Sequence, residues 1–175
     1  MEEYQITLKI AAYFLEYPDA DWWKDFHEYK KVIDEIKTPQ IKNSFEDLFD
    51  YVEKLGAKDY ENLYVQSFDF SQNTNLYLTT HNRTDFGKQA NELQEFKNLF
   101  LENGYDLNKE LPDYLPAILE LAAAVPAENA KKILNAAKEK IELLRDRFIE
   151  AKLAQTFLLD AILTQIENLE VTKNE

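Results

Sequence analysis

Apolar residues recur along this chain at intervals of three and four, the spacing that gathers them on one face of a helix. The clearest run is Trp22, Phe26, Tyr29, Ile33 and Ile36; a second is Ile41, Phe45, Leu48, Val52 and Leu55. A first helix is predicted over Tyr4 to Leu15, ending before Tyr17-Pro18 because a residue preceding proline is pushed out of the helical region. Asp19 and Asp21 offer capping carboxylates for the second helix. Thr38-Pro39 reads as an N-cap followed by proline at the first helical position of the third, and Gly56 as its stop. A fourth helix is expected from about Lys58 to Phe68, with Tyr60, Leu63, Tyr64 and Phe68 inward.

The pattern then breaks into a polar loop, Ser71 to Asn75. Leu76-Tyr77-Leu78-Thr79 has strand-like residues, but a short isolated strand is unstable, so an extended or single-turn segment packed on helices is expected. Thr84-Asp85 should cap the next helix, with Phe86, Ala90, Leu93 and Phe100 inward and a stop at Asn103-Gly104. Pro112 or Asp113 opens another, Pro116 falling within its first turn, and Pro126 ends it. From Ala127 to Glu170 there is neither glycine nor proline. One helix of that length would reach about 65 Å at 1.5 Å per residue. A compact domain of this size is only roughly 40 Å across, from a radius of gyration near 16 Å. Two helices with a break near Glu150 to Leu153 are therefore expected. The reading is an all-α fold: a single-domain helical bundle of seven to nine helices spanning residues 1–170, with a loose tail at 171–175.

Composition narrows the function. With 175 residues one domain with a substantial core is the default, and 45% hydrophobic residues, including 11 Phe and 10 Tyr, exclude disorder as the main state. The net charge of -13 repels nucleic-acid phosphates; it suits a basic peptide and, equally, simple solubility. The acidic start, the absence of an apolar run near the roughly 20 residues a bilayer requires, and the absence of cysteine make a cytoplasmic protein without membrane insertion the expectation.

Catalytic chemistry finds little support. There is no cysteine nucleophile, and His27 and His81 are the only imidazoles. Lys24 and Leu78 stand three residues before them, so the Glu-x-x-His pattern of di-iron bundles is absent. Gly56, Gly87 and Gly104 stand alone, which rules out a glycine-rich phosphate loop. Carboxylate pairs such as Asp47 and Asp50, or Glu110 and Asp113, arise by chance at this acidity. No catalytic residue and no metal ligand is assigned, and the chain reads as a non-enzyme. Lys131, Lys138, Arg145 and Lys152, spaced by sevens, form either a basic dock or a solvated face laced with ion pairs.

Two segments carry a resemblance. The first runs from Tyr64 to His81 and contains Ser67-Phe68-Asp69 and Leu76-Tyr77-Leu78-Thr79; the second is Glu110-Leu111-Pro112-Asp113-Tyr114-Leu115-Pro116. In that order and spacing they resemble the signature of the nitrate reductase delta subunit family, the NarJ-type molybdenum-cofactor assembly chaperones of the wider TorD/DmsD group. The likeness centres on Tyr64 to Gly104 and Glu110 to Ala124. After His81 the family's Gly-Asp-x-Arg-x-Arg-Gly is replaced by Thr84-Asp85-Phe86-Gly87-Lys88-Gln89-Ala90, so only Asp85 is shared and no role of the arginine pair carries over.

The resemblance implies an all-helical, TorD-like cytoplasmic chaperone of the respiratory nitrate reductase catalytic (alpha) subunit, or of a related molybdoenzyme. Such a protein recognises an N-terminal segment of its client. It keeps the apoenzyme competent for molybdenum cofactor and Fe-S insertion before membrane attachment, and it binds no cofactor stably itself. A monomer or weak homodimer is expected. An amphipathic client peptide would lie in an aromatic groove. Phe68, Phe70, Tyr77, Leu78, Tyr114 and Leu115 are the candidates for its lining; Asp69, Asp85, Asp113 and Glu120 supply negative charge, with His81 beside them. Phe68, Tyr77 and Leu115 serve equally well as core, and Asp113 as an N-cap. The alternative is a helical ligand-binding or regulatory domain with a small-molecule cavity.

Overall fold

The computed structural model describes residues 1–82, 86–107 and 110–172. Among these described residues seven α-helices carry the fold: α1 (Glu3–Phe14), α2 (Ala20–Val32), α3 (Pro39–Tyr64), α4 (Phe86–Glu102), α5 (Leu115–Ala124), α6 (Ala127–Glu150) and α7 (Thr156–Val171). Among the described residues the only strand-like pairing is one isolated antiparallel bridge, Tyr77 to Tyr114. The all-α expectation therefore holds.

Helix α1 is the centre of the bundle. Nine of its twelve residues are buried, from Tyr4 to Phe14. A helix apolar on every side must be covered on every side. It packs against α5, α7 and α2, while α3 lies on α7 and α5 on α6. The polar groups that this buries find partners: Tyr4 Oη donates to the Val125 carbonyl at 2.8 Å and Thr7 Oγ1 to Gln165 Oε1 at 2.9 Å. Asp19 caps α2 by accepting from the Trp22 amide at 2.9 Å, which holds Trp22 against Tyr13, ring centroids 4.5 Å apart and nearly parallel.

Four features depart from the periodicity. Gly56 kinks α3 rather than ending it: at φ 79°, ψ 170°, a conformation natural only to glycine, the chain turns and the helix resumes at once. Helix α5 starts at Leu115, later than Pro112 or Asp113, because Tyr114 is extended and paired with Tyr77. Phe86 and Ala90 face solvent instead of the core, and Phe86 is 92% exposed. The buried apolar residues of helix α4 lie in its second half, Phe96, Leu99 and Phe100, while its first half is tied by polar contacts, Gln89 to Thr79 and Glu92 to Lys140. The expected Thr84-Asp85 cap lies outside the described residues.

The break between α6 and α7 falls where the chain length demanded it, without proline or glycine. Leu153 N donates to Phe148 O at 3.0 Å across a turn in which Lys152 takes φ 57°. That left-handed position is commonly filled by glycine. Leu158, Leu159 and Ile162 of α7 then return to the core.

Candidate functional site

The two signature segments meet. Leu78 N donates to Asp113 O at 3.0 Å and Leu115 N to Leu76 O at 2.9 Å, which closes the bridge at Tyr77 and Tyr114. Their rings lie 5.0 Å apart at 32°. The single-turn expectation for this stretch is met from Leu78 to Asn82, a 3-10 turn, but the short extended piece before it does have a partner.

Asp113 is the peg of this junction. It is 1% exposed, and its Oδ2 accepts from both Thr79 N at 3.1 Å and Thr79 Oγ1 at 2.6 Å. It is not the N-cap of α5, since Tyr114 occupies that position. His81 is also buried, its Nε2 2.8 Å from the Asn75 carbonyl, while Arg147 Nη2 of α6 donates to the His81 carbonyl at 3.1 Å. These bonds tie the loop to the bundle.

Upstream, α3 passes into a π-turn, Val65–Asp69, in which Phe70 N reaches back to Val65 O at 3.1 Å. The wider turn sends neighbouring residues in opposite directions. Phe68 is buried between Tyr64 and Phe148, with centroids at 4.9 and 5.8 Å, whereas Asp69 is exposed and Phe70 is 82% exposed. The candidate residues thus divide. Phe68, Leu78, His81, Asp113 and Leu115 are buried and shape the site from below. Asp69, Phe70 and Glu120 face solvent and Tyr77 and Tyr114 are half-buried. Asp85 lies outside the described residues.

The surface around these tyrosines is acidic. Tyr64 Oη donates to the Leu15 carbonyl at 2.6 Å and stands beside the Tyr114 phenol. Burial pushes the Tyr114 phenol up to about 12; the neighbouring Tyr64 hydroxyl works against this, and the Glu110 charge adds to the rise. Burial raises Tyr77 as well, with Glu110, Asp113 and Asp69 adding to it. Glu16, just past the end of α1, is pushed up to about 8. Loss of water is the largest cause, followed by a hydrogen bond to Glu120 and the charges of Glu120, Glu110 and Asp19. A helix C-terminus is already a poor place for an anion, and α1 has no basic residue in its last turn.

Sequence reasoning named Glu120 and missed Glu16, because nothing in the order of residues shows that Glu16, just past α1, and Glu120 of α5 come together. Glu16, Asp19, Asp69, Glu110 and Glu120 make no ion pair with any described lysine or arginine. The basic row on α6 is spent differently. Lys131 pairs with Glu128 at 3.6 Å, Lys138 with Glu170 at 3.9 Å and Arg145 with Asp160. It is a face laced with ion pairs, the plainer of the two readings. Among the described residues no group of three or more histidine, aspartate or glutamate side chains is arranged to hold a metal ion, and no helix is long and apolar enough to cross a membrane.

The chain matches the family model described as nitrate reductase delta subunit over residues 16–155, a span that contains both signature segments. It is 31% identical over 171 residues to the probable nitrate reductase molybdenum cofactor assembly chaperone NarJ of Bacillus subtilis (strain 168), covering 97% of this chain and 93% of that protein. It is 28% identical over 161 residues to the nitrate reductase molybdenum cofactor assembly chaperone NarJ of Escherichia coli (strain K12), covering 90% of this chain and 68% of that protein. With its signature segments joined at the Tyr77–Tyr114 bridge and its family match running through most of the helical bundle, this chain belongs to the nitrate reductase delta subunit family.

Proposed function

We propose that this protein is a system-specific chaperone that binds the N-terminal segment of the catalytic subunit of a nitrate reductase, or of a related molybdoenzyme. It keeps that subunit open for insertion of its molybdenum cofactor and Fe-S clusters before membrane attachment. The cofactor is cargo for the client, and the chaperone acts in the cytoplasm without catalysing a reaction.

The observation that carries this reading is the aromatic, uncompensated acidic surface at the junction of the signature segments. Tyr77 and Tyr114 lie half-buried over a rigid base, Phe70 projects nearby in sequence, and Glu110 and Glu120 supply negative charge without described cationic partners. Such a surface suits a client helix with an apolar face and basic flanks. Ordering a flexible segment on binding costs entropy, so the affinity is moderate and the client is released when assembly is complete.

Calorimetric titration with a synthetic peptide of the N-terminal segment of the organism's own nitrate reductase catalytic subunit tests the proposal. Saturable binding, lost with a scrambled peptide of equal charge, is the expected result. Equal binding of both peptides reduces the effect to charge, and no binding of either removes the leader segment as the recognised element.

A further inference from the structure

The dipeptide Asn-Gly occurs once in this chain, at Asn103-Gly104, immediately after α4. An asparagine followed by glycine can react with its own backbone. The Gly104 nitrogen attacks the Asn103 side-chain carbonyl carbon, and the new C–N bond closes a five-membered imide. The side-chain nitrogen leaves as ammonia, carrying the proton that the backbone nitrogen gives up. Water then adds to one of the two imide carbonyls and opens the ring, which leaves aspartate or isoaspartate. Nothing is oxidised or reduced, and water is the sole co-reactant. Glycine favours the first step because it has no Cβ to crowd the attacking nitrogen.

In the folded chain both reacting groups are engaged. Gly104 takes φ 84°, and its amide donates to Leu101 O at 3.1 Å. Tyr105 N reaches back to Phe100 O at 2.9 Å, so the turn is closed on the far side of the glycine as well. The Asn103 carboxamide is held at both ends. Its Nδ2 donates to Leu99 O at 2.7 Å, which directs it toward the preceding turn of α4, and its Oδ1 accepts from Asn129 Nδ2 of α6 at 3.0 Å. Closing the imide swings the carboxamide onto the Gly104 nitrogen and so breaks both side-chain bonds. It also removes the proton that Gly104 donates to Leu101 O.

Asn129 belongs to a different helix, so this clamp exists only while α4 is docked on α6. The neighbouring ion pair, Lys132 to Glu102 at 2.9 Å, is exposed on both sides and adds little to the docking. Neither product rebuilds the cap. Aspartate at position 103 brings a negative charge to the helix C-terminus, where the peptide dipoles oppose it, and has no amide to donate to Leu99 O. Isoaspartate inserts a methylene into the main chain between Phe100 O and Tyr105 N, the two atoms that the turn must bring together.

We propose that Asn103 is a site of spontaneous deamidation that the docking of α4 on α6 holds shut. The native chain keeps its asparagine; a chain whose α4 end has opened converts it irreversibly, and the converted chain recaps the helix less well. The inference does not depend on the chaperone reading.

The test incubates the full chain at mildly alkaline pH, in buffer and in unfolding urea. Peptide mass spectrometry follows the mass gain at Asn103 that exchange of –NH2 for –OH produces. Conversion in buffer should be slower than in urea by about tenfold or more, because opening breaks several hydrogen bonds at once. Asn129 is exposed, so Asn129→Ala leaves the core intact, and thermal melts confirm that the variant is folded. It should speed conversion in buffer by about fivefold, the worth of one hydrogen bond, and leave the rate in urea unchanged. Hydrogen exchange at the Gly104 amide should rise by the same factor. Lys132→Ala, which removes only the exposed ion pair, should stay within about twofold of wild type. Equal wild-type rates in buffer and urea overturn the proposal, since the fold then protects nothing. Absence of conversion in urea overturns it too, since the dipeptide is then unreactive. An Asn129→Ala rate no faster than that of Lys132→Ala removes the clamp from Asn129 and overturns the link to α6 docking.

Discussion

Two regions of this molecule are rich in aromatic residues and use them in opposite ways. Around α1, Tyr13 stacks between Trp22 and Tyr29, and Phe14 meets Phe49 edge to face at 4.5 Å. The polar atoms there are paired, as when Trp22 Nε1 donates to the Tyr13 carbonyl at 2.8 Å. Around α4 and the signature segments, Phe70 and Phe86 stand in water and Leu101, Tyr105 and Leu111 leave about half of their surface there. The first region is closed on itself; the second is stabilised from beneath and left open above. Composition is shared between them. What differs is whether a neighbouring helix supplies the other half of the contact.

The sharpest way to break this comparison is to truncate one aromatic from each region. Phe45 is fully buried, so Phe45→Ala should destabilise the fold by about 3–5 kcal/mol. Phe70→Ala should stay within about 0.5 kcal/mol of wild type. Urea unfolding measures both. A similar loss at both positions would mean that Phe70 is packed and that the open region is not open.

Asp113 stands between the regions, buried but belonging to the site. Asp113→Ala strands the Thr79 amide and hydroxyl, at an expected cost of about 1–3 kcal/mol. Its distinguishing effect is local: amide exchange from Leu76 to Thr79 should accelerate more than exchange in α1. Uniform acceleration would make Asp113 an ordinary core residue.

The smallest effect concerns acidity. The Glu16 carboxyl is raised from 4.5 to about 8 in the folded chain, so the folded state holds a proton that the unfolded state releases. The stability this gives is fully present below pH 4.5, declines as the pH rises toward about 8, and is flat beyond. Because Glu16 is in contact with solvent the slope is shallow. Glu16→Gln should remove that part of the decline, read from melting temperatures across the window. An unchanged pH profile would show that Glu16 is not held protonated in the folded chain.

Much of the fold was legible in the chain. The rows Trp22-Phe26-Tyr29-Ile33-Ile36 and Ile41-Phe45-Leu48-Val52-Leu55 turn inward as their spacing required, Tyr29 and Leu55 half-buried and the others buried. The break near Glu150 followed from length alone. The miss at Phe86 and Ala90 has a definite cause: periodicity reports a face, and nothing local reports whether a neighbouring element covers it. Gly56 read as a stop for a related reason, since glycine permits a turn without dictating whether the helix resumes. The candidate site was half legible. Its two segments were found, but the outward turn of Phe70 depends on a π-turn and the peg role of Asp113 on Thr79, 34 residues away.

By itself, then, the sequence determined the all-helical class, the order of the helices and the family, because periodicity, capping and an ordered signature are properties of neighbouring residues. The tertiary structure alone decided which signature aromatics face outward, that Glu16 joins Glu120, and that Asn129 of α6 reaches Asn103. Each of those depends on how helices distant in sequence pack, and burial is decided by that packing and not by residue type.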